Sequence, residues 1–340
     1  MGLEAILGLP RRVAPYLAGV VIAFLIAGVI LKFMGYSLLV SYKTIFLTSF
    51  SSVDSIVLTL LKFIPLLLMS LGFAIPLLAQ KYNVGIEGQF LLGGIGAAVV
   101  GLAFTLNPVV HVVLGLLVGI ILGSLWALVP ALLLYKFRVN EIISTILMNF
   151  IAFYLVDYIA TGPWRDLAAG HPMTVPIAET ARLPLLVQRP ALHAGFLLTL
   201  LVAAAAYFLL FRTLPGYEIR AVGSNPRASA VFGINVKLLG PLTLVAGGAV
   251  AGLAGAMEVM GFHYRLIGGM QANYTPLGIL IALMGRGDPI AIVALSFFIS
   301  VVEIGSNALQ RTQGVPVELT LIVEALILVF FLVVQVARRR

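Results

Sequence analysis

An all-α polytopic membrane protein is the fold class the sequence predicts, and three observations predict it. Hydrophobic residues are 61% of the 340 and charged ones only 10%, with a mean hydropathy of +1.12, a balance foreign to soluble globular domains. Apolar runs of about 17 to 26 residues recur between short charged clusters, which suits helices crossing ~30 Å of hydrocarbon and not barrel strands. The basic residues sit in those clusters, so the net charge of +8 is a topology signal, not a nucleic-acid footprint. The expectation is one transmembrane domain over residues 1–340, with about ten helices, broken or re-entrant segments, and both termini cytoplasmic.

Arg11 and Arg12 place the N-terminus inside, ahead of a first span at 13–33. A loop through Lys43 and Asp54 lies outside, and the second span, 55–78, returns the chain to Lys81. The third, 90–106, is rich in Gly and Ala, as close helix packing requires. The fourth, 109–134, ends at Lys136 and Arg138, and the fifth, 142–159, leads out. Residues 161–192, with Trp164, Arg165, Asp166 and Glu179, are too polar for lipid and form an external loop. After a sixth span at 194–211, residues 212–237 make a cytoplasmic loop before the seventh, 238–259. The run from Leu277 to Gly285 would cover only about 13.5 Å as a helix, so it extends into the segment before it or forms half of a broken helix. A ninth span at 289–304 and a tenth at 319–336 end at the cytoplasmic arginines 338–340. Counted this way, thirteen of the 21 Lys and Arg lie inside and seven outside.

No cysteine is present, which excludes disulfides and thiolate chemistry, and His111, His171, His193 and His263 are dispersed. Neither a metal site nor a cofactor is expected. No GxxxxGK[ST] loop occurs, so an ATP-driven activity would need a partner for its nucleotide.

Three polar constellations interrupt the apolar background. The first, KYNVGIEGQ, offers Asn83, Glu87 and Gln89 between Gly85 and Gly88 at a membrane boundary, either as a tight turn opening a helix or as the lining of a pathway. In the second, VNEIISTILMN, Glu141, Ser144, Thr145, Met148 and Asn149 share one helix face. Such a polar stripe faces protein or water, for helix-to-helix hydrogen bonding or for a substrate passage. Asn273 to Gly278 repeats the Asn-x4-Gly spacing of Asn83 to Gly88 on the opposite side; an inverted repeat would produce it, but a single shared spacing is more simply chance. Within 212–237, Asn225 is a helix N-cap, Pro226 fits the first helical position, and Gly233 ends the segment after about two turns.

Taken together, NVGIEGQ (83–89), VNEIISTILMN (139–149), GYEIRAVGSN (216–225) with Gly233, and ALMGRGDP (282–289) resemble the permease subunits of bacterial and archaeal ATP-binding-cassette importers. The likeness is to the ribose and branched-chain amino acid permease superfamily, nearest its nucleoside and simple-sugar branch. It runs from about residue 60 to the C-terminus, and departs at Met284 and at Gly287–Asp288, where a leucine and two asparagines would be expected. The resemblance implies a pore subunit in the cell membrane, paired with a second permease subunit, alike or different. A cytoplasmic ATP-binding subunit would drive it and an external solute-binding lipoprotein would load it. It implies a coupling helix carrying Arg220, Asn225, Pro226, Arg227, Ala230, Phe232 and Gly233, and a substrate pathway past Asn83, Glu87, Gln89, Glu141, Ser144, Thr145, Asn149 and Asn273. Nucleosides are the expected cargo, with simple sugars and then branched-chain amino acids as alternatives. Two other classes remain: an ion-coupled carrier using Glu87, Glu141, Asp157, Glu258 or Glu303, and a membrane enzyme, for which no paired acid and base is visible.

Overall fold

With no water in lipid to satisfy backbone polar groups, an apolar chain of this length closes its hydrogen bonds within helices. The computed structural model describes residues 25–26, 28–271 and 274–316, together with 318, 319, 321, 322, 325, 326 and 329. Its elements in order are α1 (Leu38–Thr48), α2 (Val53–Leu77), α3 (Ile86–Ala103), α4 (Pro108–Phe137), α5 (Glu141–Ala160), the strands β1 (Leu185–Gln188) and β2 (Ala191–His193), α6 (Gly195–Arg212), α7 (Leu214–Ser224), α8 (Pro226–Val231), α9 (Val236–Met257), α10 (Tyr274–Met284) and α11 (Pro289–Gln313). Seven of these, α2 to α6, α9 and α11, are long and apolar enough to cross a membrane. The first and tenth expected spans lie largely outside the described residues. The eighth corresponds to α10, whose eleven residues reach only about 16 Å.

Several boundaries differ from the sequence reading, each for a local reason. The supposed loop before residue 54 contains α1, where Ser41 and Ile45 are buried one turn apart; Lys43 interrupts the run enough to hide it from a span-length window. α3 begins at Ile86 and not at 90, because Gly85 serves as its N-cap, so Glu87 and Gln89 lie inside the helix. α4 runs on to Phe137, and Arg138 closes it in the left-handed conformation, its N–H shared by the carbonyls of Leu133 and Leu134. In the 212–237 segment a further helix, α7, precedes the short one; it buries Gly216, Ile219 and Val222 on one face. α9 continues as a π-helical turn, Glu258–His263.

The chain divides into two units, 60–296 and 1–59 with 297–340. In the larger, α3, α4 and α9 pack backbone to backbone. A methyl added at Gly252 would strike the Gly119 carbonyl, one at Gly248 the Ala127 side chain at 2.5 Å, and one at Gly255 the Phe90 carbonyl. Lipid offers no hydrophobic drive between helices, so such close dispersion contacts stand in for it. α3 is the centre of this unit: 78% of its apolar window is buried, against 22% for α4 and for α6. Residues 161–194 belong to this unit and are tied to the end of α9 and the segment after it. The Thr174, Ile177 and Leu183 amides donate to the carbonyls of Leu266, Tyr264 and Met260 at 3.0, 2.8 and 2.9 Å, and Arg265 pairs with Asp166 at 3.1 Å. In the smaller unit, Leu31, Ile45, Val302, Leu309, Val315 and Leu319 form the core. Ser49 Oγ there donates to the Val301 carbonyl at 2.8 Å.

Candidate functional site

The first-turn N–H groups of α3 lack intrahelical acceptors, and Gly85, its N-cap, has no side chain to offer them. α5 supplies the missing cap. Asn149 Oδ1 accepts from the Gly88 N–H at 2.8 Å, and its Nδ2 donates to the Val84 carbonyl at 3.0 Å. This approach is possible because residues 85 and 88 are glycines: a Cβ at Gly85 would sit 2.9 Å from the Thr145 Cβ, and one at Gly88 would sit 3.0 Å from Asn149 Oδ1. One turn on, Asn83 and Gln89 join their amides reciprocally, at 2.8 and 2.9 Å, with both side chains essentially inaccessible. Two buried amides paired in this way each satisfy a donor and an acceptor, which avoids the penalty of an unpartnered polar group.

Ahead of α3, Lys81 Nζ stands 3.5 Å from Glu141 Oε1 in the first turn of α5. Ser144 and Thr145 return their hydroxyls to the Glu141 carbonyl, at 3.2 and 2.6 Å. The two sequence motifs, far apart in the chain, thus meet along one seam. Asn83, Gln89, Ser144, Thr145 and Asn149 spend their hydrogen bonds within it, while Glu87 is half-buried with no hydrogen bond or ion pair among the described residues. The buried Trp126 Nε1 beside Gly88 likewise has no hydrogen-bond partner among the described residues. Asn273 lies outside the described residues.

A second polar cluster was represented in the sequence only by Glu258, as one of five scattered candidate carrier acids. The π turn widens the end of α9 and carries Glu258, 5% exposed, whose Oε1 accepts from the Tyr274 hydroxyl at 3.2 Å and lies 3.4 Å from His263 Nε2. The Lys62 ammonium stands 4.3 Å over the Tyr274 ring. His193, at the end of β2, is 2% exposed and lies against Gly195 and Gly261, where added methyls would meet its ring. Burial holds its imidazole down at about 4 from an ordinary 6.5, with the Glu258 charge opposing. Its Nδ1 has no hydrogen-bond partner among the described residues. The sequence signals were weak: acids and histidines scattered at 193, 258 and 263, which only a turn of π-helix and a short hairpin bring together. Irregular helical turns of this kind recur at functional positions.

The third candidate is α7–α8. Thr213 starts α7, its Oγ1 accepting from the Gly216 N–H, and Asn225 caps α8 by accepting from the Ala228 N–H at 3.0 Å. Pro226 occupies the first position of α8, and Gly233, at φ +84°, lies just beyond its end. Arg220 donates to the Leu210 carbonyl and lies over the Phe211 ring at 4.7 Å, so its guanidinium closes the end of α6. Arg227 and Ala230 are exposed, and Val231 and Phe232 are each 85% exposed. A two-turn helix with an uncovered Val–Phe pair at its end is not stable alone in water; such a surface suits a partner.

A sequence model of the family described as "Branched-chain amino acid transport system / permease component" matches residues 55–332. The guanosine ABC transporter permease protein of Bacillus subtilis is 32% identical over 320 residues, covering 92% of this chain and 91% of that protein. The glucose ABC transporter permease protein of Haloferax volcanii is 29% identical over 347 residues, covering 97% and 91%. The nucleoside ABC transporter permease protein of Lactococcus lactis subsp. cremoris is 27% identical over 335 residues, covering 96% and 92%. No solved structure matches.

Proposed function

The chain belongs to the branched-chain amino acid transport system permease family, and from that premise we propose that it is the pore subunit of an ATP-driven importer for nucleosides. Its place as a multi-pass membrane permease rests on that membership and on its seven span-length helices. The observation that carries the coupling half of the reading is α8: a capped two-turn helix whose apolar end, Val231 and Phe232, is uncovered. In this reading it faces the cytoplasm, with 161–192 outside, and enters a groove of a separate ATP-binding subunit. Arg227, Ala230 and Phe232 make the contact, while Arg220, Asn225, Pro226 and Gly233 hold the helix in position. ATP hydrolysis belongs to that partner, an external lipoprotein delivers the solute, and a second permease subunit completes the pore.

The pathway runs past Glu87 and Asn273, with Asn83, Gln89, Glu141, Ser144, Thr145 and Asn149 shaping the polar wall. Nucleosides are favoured by the guanosine-permease relative; simple sugars are the second reading, favoured by the glucose-permease relative. The test is uptake of radiolabelled guanosine, ribose, glucose and leucine into vesicles holding the permease with its ATPase and binding protein. ATP-dependent guanosine uptake is the expected result. Uptake of leucine alone would refute the nucleoside assignment, and uptake driven by an ion gradient without the ATPase would refute the coupling.

A further inference from the structure

Lys81, Lys136, Arg138 and Lys237 line a single cavity of about 590 Å3, between the end of α4, the first turns of α9 and the start of α8. Cations gathered in one recess repel each other unless an anion joins them. Lys81 has Glu141 at 3.5 Å. Lys136, Arg138 and Lys237 are exposed and have no acidic partner among the described residues.

α4 is 30 residues long, about 45 Å, against a hydrocarbon core of about 30 Å. An end of this helix therefore emerges at headgroup depth, and the one carrying Tyr135, Lys136 and Arg138 has the residue types that anchor at that level. Down the same helix, Leu117, Ile121, Leu125, Leu128, Leu132 and Tyr135 are exposed at three- and four-residue spacing, a continuous apolar stripe that ends at the cavity wall.

We propose that this cavity binds the phosphate headgroup of an anionic phospholipid, whose acyl chain lies along the α4 stripe. A cationic recess at the end of an apolar track matches an amphiphile; a soluble phosphate has no use for the track. The recess also includes Val222 of α7 and Pro226 of α8, so a bound headgroup braces the α7–α8 element against α4 and α9. The inference does not depend on which solute is carried, and it is tested without transport.

The full chain, delipidated in mild detergent, is titrated with dioleoyl phosphatidylglycerol, dioleoyl phosphatidylcholine and inorganic phosphate, and bound molecules are counted by native mass spectrometry. Phosphatidylglycerol is expected to bind at least ten-fold more tightly than the other two. Lys136→Gln/Arg138→Gln/Lys237→Gln should remove that preference. Arg165→Gln/Arg189→Gln, in the 161–192 segment, should leave it intact, as should the charge-preserving Lys136→Arg/Lys237→Arg. If the triple variant does not fold, Lys136→Gln and Lys237→Gln alone should each weaken phosphatidylglycerol binding about three-fold. Equal binding of phosphatidylcholine, phosphate binding as tightly as the lipid, or affinity unchanged in the neutralised variants would overturn the proposal.

Discussion

Asn149→Leu is the most direct test of the seam between α3 and α5. The leucine is close to isosteric but cannot bond, so it leaves the Gly88 N–H and the Val84 carbonyl without their side-chain partner. Losing an N-cap acceptor costs about 1 kcal/mol by itself, and each buried polar group left unpaired costs about 1–3 kcal/mol. Gly85 cannot replace the cap, so the expected loss is about 2–4 kcal/mol, concentrated at residues 84–88. At about 1.4 kcal/mol per decade, amide exchange at Gly88 should quicken by roughly 30-fold or more. Hydrogen–deuterium exchange on the full chain in lipid nanodiscs measures this directly. Asn149→Asp keeps the acceptor for Gly88 but loses the donor to Val84, so it should fall between wild type and leucine. A less than three-fold change at 84–88 in the leucine variant would refute the view that Asn149 caps α3 across the helix interface.

The Asn83–Gln89 pair should show strong coupling: Asn83→Leu or Gln89→Leu alone strands one buried amide and lowers stability by about 2 kcal/mol, whereas the double variant recovers part of the loss. Additive losses in thermal unfolding would contradict the reciprocal pairing. For His193 the folded imidazole titrates at about 4 and the unfolded one near 6.5, so on acidification the unfolded chain takes up the proton first. Stability is therefore fully present above pH 6.5 and falls by about 3 kcal/mol as pH drops to 4. His193→Gln should flatten that part of an unfolding-versus-pH curve, and an unchanged slope would exclude the histidine as its source. On the proposed coupling role of α8, Arg227→Glu with Ala230→Glu should reduce ATPase association and uptake at least ten-fold while membrane insertion is unaffected. Co-purification and uptake at wild-type levels would remove α8 from the coupling role.

Much of the helix pattern was legible because membrane crossing imposes a length and an apolar composition that a run of letters displays directly. The spans read at 109–134, 142–159 and 194–211 lie within or almost within α4, α5 and α6. Local stereochemistry was equally legible at Asn225, Pro226 and Gly233, where a cap, a first-turn proline and a positive-φ glycine depend on neighbours a few residues away. α1 was not, because Lys43 breaks its run and its stability comes from burying Ser41 and Ile45 within its own unit. α7 was hidden for the same kind of reason: GYEIRAVGS has a helical face only once Gly216, Ile219 and Val222 have something to pack against.

The sequence by itself determined the membrane class, most of the span positions and the capped start of α8, since each depends on composition or on residues adjacent in the chain. Tertiary structure alone decided what the polar residues do. Asn149 and Gly88, 61 positions apart, meet because two glycines admit α5 to the mouth of α3. Glu258 and His263 share the π turn that ends α9, and Tyr274, sixteen positions after Glu258, reaches the same carboxylate. Hydrogen bonds and charges act over a few ångströms in space, and separation along the chain does not set that distance.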